Sequence, residues 1–135
     1  MSETRQQRGQ RIVEAIAGER STAPLGDWEN VAPGMGELIR DFIAGDVLGR
    51  DGLDLKMRQL LTVVILAALR ADDELAMHLR GAMRLGWTQR EIGEALVQVA
   101  PFGGFPAALE ALKTFKQVLA EAALQQRPAR SPRVS

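Results

Sequence analysis

The chain has 135 residues, of which 46% are apolar and only 4% aromatic, with 17 basic and 17 acidic side chains, one histidine and no cysteine. That length makes one domain with a real core, and a core of Leu, Ala, Val and Ile favours packed helices over a sandwich. Zero net charge argues against a nucleic-acid binder, the missing cysteines exclude disulfides, thiolate metal sites and cysteine redox chemistry, and one histidine argues against a dedicated zinc or iron site.

Residues 3–18 predict a weak amphipathic helix with Ile12, Val13 and Ile16 as its apolar stripe and Gly18 as its stop. A loop follows over residues 21–27, anchored by Trp28 and Val31. Pro33 sits where a second helix can begin, and Leu38, Ile39, Phe42 and Ile43 recur at helical spacing up to Gly45. The glycine-rich residues 45–52 read as a turn. Asp54 is a good N-cap for a helix over Leu55–Arg70. From Leu60 onward that helix is apolar on most sides, so it is either central in the core or covered by a second subunit.

Asp72 is expected to cap a helix reaching Leu85, with Gly86 ending it. Thr88-Gln89-Arg90-Glu91 forms a capping box that opens a helix to about Val99. Residues 101–106 read as a tight loop, with Pro106 in the first turn of a last helix to about Leu124. Residues 126–135 are basic, contain prolines and read as a disordered tail. No alternating strand pattern occurs, so the expected fold is all-α, a single-domain bundle of five or six helices. The divisions are an N-terminal helix and loop over 1–30, a helical domain over 31–125 and the tail.

The longest apolar run, Leu60 to Leu69, is short of the roughly 20 residues that span a bilayer, and the polar Met1-Ser2-Glu3-Thr4-Arg5 has no signal-peptide core. A cytoplasmic protein without membrane contact is expected.

Glu74 and His78 carry the most chemistry. They are four residues apart, on one face of a helix. A carboxylate there can raise the pKa of the imidazole and orient it for proton transfer near neutral pH. Taken alone, such a pair reads more simply as a surface or core-edge contact.

From Gly52 to Val118 the chain resembles the carboxymuconolactone decarboxylase family. The resemblance rests on Gly52-Leu53-Asp54, Arg58-Gln59-Leu60-Leu61-Thr62, Ala67-Ala68-Leu69, Glu74-Leu75, His78, Ala82, Gly86, Thr88, Glu91-Ile92, Glu94, Gln98, Gly103 and Pro106-Ala107-Ala108 as an ordered set. Asp41-Phe42 and Gly45-Asp46-Val47 extend it, so that it spans roughly residues 36–120. It implies a small helical bundle of the alkyl hydroperoxidase D type, assembled into trimers or hexamers. The thiol-peroxidase branch uses Cys-x-x-Cys-x-x-x-His plus an upstream glutamate. Aligned on His78, those positions hold Ala71, Glu74 and Gln59, which excludes that activity.

The resemblance therefore implies the cysteine-free branch. Its reaction is cofactor-free decarboxylation, with a double-bond shift, of a carboxylated unsaturated lactone such as γ-carboxymuconolactone, in the degradation of aromatic compounds. Arg58 is expected to clamp a carboxylate as a bidentate guanidinium. His78 is the proton donor or the group that polarises the lactone, oriented by Glu74. Phe102, Gly103 and Glu94 are the remaining substrate-binding candidates. Each has a simpler reading: a structural ion pair for Arg58, a solvated helix face for Glu94, a turn for Gly103 and Gly104.

The chain departs from the branch at Gly49-Arg50, near a usual tryptophan. Phe102-Gly103-Gly104 replaces a Tyr-x-Gly pattern, and Ala108-Leu109-Glu110 replaces a more polar segment. These departures leave the substrate open between γ-carboxymuconolactone, a related lactone and a natural-product intermediate. Two other readings stand beside the decarboxylase. One is recruitment to another proton-transfer or isomerase step in a biosynthetic pathway. The other is a non-catalytic homo-oligomeric binding protein.

Overall fold

The computed structural model describes residues 2–128, and those residues are all-helical. Helix α1 (Arg5–Ala17) opens on a capping box that the sequence reading did not single out. The Thr4 hydroxyl accepts from the Gln7 amide at 3.1 Å, and the Thr4 amide donates to Gln7 Oε1 at 2.9 Å. Ile12, Val13 and Ile16 are its buried stripe, and Gly18 ends it as expected. Trp28 and Val31 do not anchor the following loop: they are 48% and 84% exposed.

Helix α2 (Met35–Leu38) is capped by Gly34, one residue beyond the expected Pro33. It runs without a break into a wider, π-helical segment, Ile39–Leu48. The helix thus passes through Gly45, and the turn expected over residues 45–52 is corrected to one that begins at Gly49. The reason is a close helix crossing. A Cβ on Gly9 would collide with the Arg40 carbonyl oxygen, and one on Gly45 would lie 2.7 Å from the Arg5 carbonyl. These glycines let α1 and the π-helical segment touch backbone to backbone. Arg8 Nε fastens the crossing by donating to the Gly45 carbonyl at 2.7 Å.

Asp54 caps α3 (Leu55–Leu69) as expected, accepting from the Met57 amide at 2.8 Å. In α4 (Asp72–Arg84) the N-cap is Ala71, which makes no side-chain bond, so Asp72 is not the cap. It lies instead in the first turn with Asp73 and Glu74, where carboxylates favour the helix dipole. Gly86, at φ 102°, closes the far end: its amide donates to Met83 O and that of Trp87 to Ala82 O, each at 3.0 Å. The Thr88 capping box opens α5 (Gln89–Val97). The segment expected to be a tight loop contains a single helical turn, α6 (Ala100–Gly103), broken at Gly104 before α7 (Phe105–Gln125). Of the expected tail, residues 129–135 lie outside the described residues.

The larger core joins α3, α4, α5 and α7 around Val63, Leu75, Leu79, Ile92, Leu96 and Phe115. The smaller one holds Ile12, Val13, Ile16 and Ala44, where α1 meets the π-helical segment. Helix α3 buries Gln59, Val63 and Ala67. Its other face leaves Met57, Leu61, Ile65 and Leu69 exposed, a stripe at four-residue spacing. No helix among the described residues is long and apolar enough to cross a membrane.

Candidate active site

His78 projects from the middle of α4 into a cavity of about 190 Å³. The walls are apolar and come from separate elements. They include Val13 and Ile16 of α1, Ile39, Ile43 and Leu48 of the π-helical segment, and Met77 beside the histidine. Glu74 lines the same cavity, so the sequence-expected pair does share one site. The expected orienting contact is different, however. The ring's hydrogen-bond partner is Gln59 of α3, whose Nε2 lies 2.9 Å from His78 Nδ1 and donates to the His78 carbonyl at 2.8 Å.

Burial also reverses the expected direction of the pKa shift. Desolvation by the apolar walls holds His78 below its ordinary 6.5, and the opposing field of Glu74 is the smaller effect. His78 is therefore a neutral imidazole at pH 7. The unfolded chain binds a proton at His78 more readily than the folded one does. Its contribution to stability is complete above about pH 6.5 and is lost as pH falls toward the lower folded value. The difference in urea midpoint between wild type and His78→Gln should thus shrink between pH 8 and pH 5. A difference that holds constant across that range would contradict a depressed pKa.

The other candidates lie elsewhere. Arg58 does not line the His78 cavity, and its Nε donates to the Leu53 carbonyl at 3.3 Å. Phe102 and Gly103 line a larger apolar cleft of about 420 Å³ on the open face of α3, with Leu61, Val64 and Ile65. Glu94 lies in a groove between α5 and α7, with Arg90, Phe115 and Lys116. Of the expected set, the His78 cavity brings together Glu74 and His78, and the cleft on α3 brings together Phe102 and Gly103.

Gln59 and the α1 wall were missed. The sequence signal for Gln59 is its place as the lone polar member of the Gln59, Val63, Ala67 stripe, and the structure buries it fully. Such a residue is expected to have a hydrogen-bonding partner. Val13 and Ile16 read only as core because nothing local says which later element they face.

The sequence pattern that defines the carboxymuconolactone decarboxylase family matches residues 33–117. The chain belongs to that family. Within reach of it are a nitrosuccinic acid decarboxylase of Metarhizium robertsii, 42% identical over 76 residues, and a 4-carboxymuconolactone decarboxylase of Acinetobacter baylyi, 32% identical over 120 residues. An uncharacterized 15.0 kDa protein of Paracoccus denitrificans, encoded between nqo9 and nqo10, is 32% identical over 117 residues. The alignment spans 56% of this chain and about half (53%) of the Metarhizium protein. It spans 86% of this chain and 87% of the Acinetobacter protein. For the Paracoccus protein the shares are 85% and 87%. The family pattern begins after α1, yet α1 supplies part of the wall around His78.

Proposed function

We propose that this chain is a carboxy-lyase acting at the His78 cavity on a small carboxylic acid that contains its own electron sink. The observation that carries the reading is the chain's single histidine, neutral and facing an apolar cavity. The two decarboxylases among its relatives support it, because the acids in their names share one chemistry. In 4-carboxymuconolactone the carbon–carboxyl bond breaks and its electrons pass through a double bond into the lactone carbonyl oxygen. In nitrosuccinic acid they pass into the neighbouring nitro group. Carbon dioxide leaves, negative charge collects on oxygen, and a carbon later takes a proton from water.

The cavity suits each step. Apolar walls strip water from the carboxylate, whose charge is dispersed as the bond breaks. With Nδ1 engaged by Gln59, His78 Nε2 is left to donate to the charge-collecting oxygen. This makes His78 the polarising group rather than an imidazolium acid. Glu74, at the same cavity, opposes the desolvation of the ring. 4-Carboxymuconolactone is the first substrate proposed, because its decarboxylase aligns over 86% of the chain. The test is carbon dioxide release by the purified protein from carboxyl-labelled 4-carboxymuconolactone and nitrosuccinate. Release from at least one is expected, and none from either would reject the reading.

A non-catalytic homo-oligomer is favoured by one observation: among the described residues, no cationic side chain lines the His78 cavity to hold a carboxylate. Self-association itself belongs to both readings. Exposed Met57, Leu61, Ile65 and Leu69 line up beside the apolar cleft, and contiguous exposed apolar surface of this kind marks an interaction site. Light scattering is expected to show wild type as a multimer, a trimer or hexamer, and Ile65→Glu as a monomer. A monomeric wild type would contradict the assembly.

A further inference from the structure

We propose that Gln59 is a positioning residue that fixes His78 as the neutral tautomer protonated on Nε2, the form the proposed reaction requires. Hydrogen-bond donors and acceptors decide the tautomer. A side-chain amide nitrogen has two hydrogens, and Gln59 Nε2 faces two atoms, the His78 carbonyl at 2.8 Å and Nδ1 at 2.9 Å. The carbonyl can only accept. It therefore dictates that the nitrogen end of the amide, not the oxygen end, faces α4. The second hydrogen then meets Nδ1, which must offer its lone pair. A neutral ring with an unprotonated Nδ1 carries its hydrogen on Nε2, toward the cavity. Forming the imidazolium would set Nδ1–H against the amide N–H, donor against donor, in addition to the cost of burying the charge.

Two features indicate that this arrangement is specified. Gln59 is fully buried, and its Oε1 has no partner among the described residues. The amide keeps its two bonds to His78 at the expense of its own oxygen. Gly81 supplies the space. It lies one turn beyond His78, and a Cβ there would stand 2.9 Å from Gln59 Nε2 and 2.6 Å from Ile16 Cγ2. Among the described residues, the only other titratable group lining the cavity is Glu74. Helix α1 and the π-helical segment present apolar side chains there, and the Gln59 that α3 brings to the ring is neutral.

The proposal rests on the decarboxylase reading for its purpose but not for its test. The chain has one histidine, so nitrogen-15 NMR of the imidazole needs no assignment. The wild type is expected to show the Nε2–H tautomer, titrating below the ordinary histidine range. In Gln59→Glu a carboxylate faces Nδ1 and favours Nδ1–H, so the pKa should rise by about one to three units and kcat should fall about ten-fold or more. An Nδ1–H tautomer in the wild type would overturn the proposal, with no variant needing to fold. So would a folded Gln59→Glu that titrates where the wild type does. If the tautomer is as expected but no acid is decarboxylated, the reaction fails and the positioning role stands.

Discussion

Replacing His78 with alanine is expected to lower kcat by about a hundred- to a thousand-fold, the usual cost of losing one donor to a developing oxyanion. The expectation follows from the ring's two ends. Nδ1 is held by Gln59, so the group offered to substrate is Nε2–H. His78→Gln keeps an N–H donor but no titratable ring. If His78 polarises, that variant should retain activity clearly above His78→Ala. If His78 were an imidazolium acid, the two variants would be equally inactive. Steady-state rates for the three proteins at pH 7 decide between these roles. Arg58→Ala belongs in the same series. Its guanidinium is bound to the Leu53 carbonyl and does not line the cavity, so kcat/KM should change little. A large rise in KM would instead put the guanidinium on the substrate carboxylate.

Gly9→Val is expected to be the most damaging single change outside the cavity. Its Cβ alone would collide with the Arg40 carbonyl, and two methyl groups follow. Overpacking of this kind costs about 1–3 kcal/mol. Here the strain falls on a helix crossing that also walls the site. Helix α1 must lift from the π-helical segment, exposing Ile12, Val13 and Ile16 and opening the cavity beside His78. A lower urea midpoint and lost activity should appear together. Full activity in a Gly9→Val protein of normal stability would show that the crossing does not shape the site.

Much of the fold is legible in local signals. The Asp54 and Thr88 caps, the Gly86 terminator and the stripe of Ile12, Val13 and Ile16 each specify their element through short-range chemistry. Misreadings arose where a residue answers to a distant partner. Gly45 reads as a helix breaker because its reason for being glycine lies in α1. Asp72 reads as a cap because composition alone cannot separate a capping carboxylate from one in the first turn. In the site, Glu74 and His78 were legible because they share a helix face four residues apart. Gln59, nineteen residues before His78, was legible only as the polar member of an apolar stripe, and its pairing with the histidine was not, since it meets His78 only when α3 packs on α4. The direction of the histidine's pKa shift was lost for the same reason: the glutamate is local, whereas the apolar walls that outweigh it come from α1 and the π-helical segment.

The location of substrate binding is tested most directly by a methyl and imidazole NMR titration of the wild type. The probe is the saturated analogue of 4-carboxymuconolactone, which lacks the conjugating double bond and so cannot lose carbon dioxide. Binding at the proposed site should move the His78 ring signals and the methyls of Val13, Ile16 and Ile43, and leave Leu61, Val64 and Ile65 in place. Shifts confined to those last three residues, which line the larger cleft on α3, would contradict the account and move the chemistry away from His78.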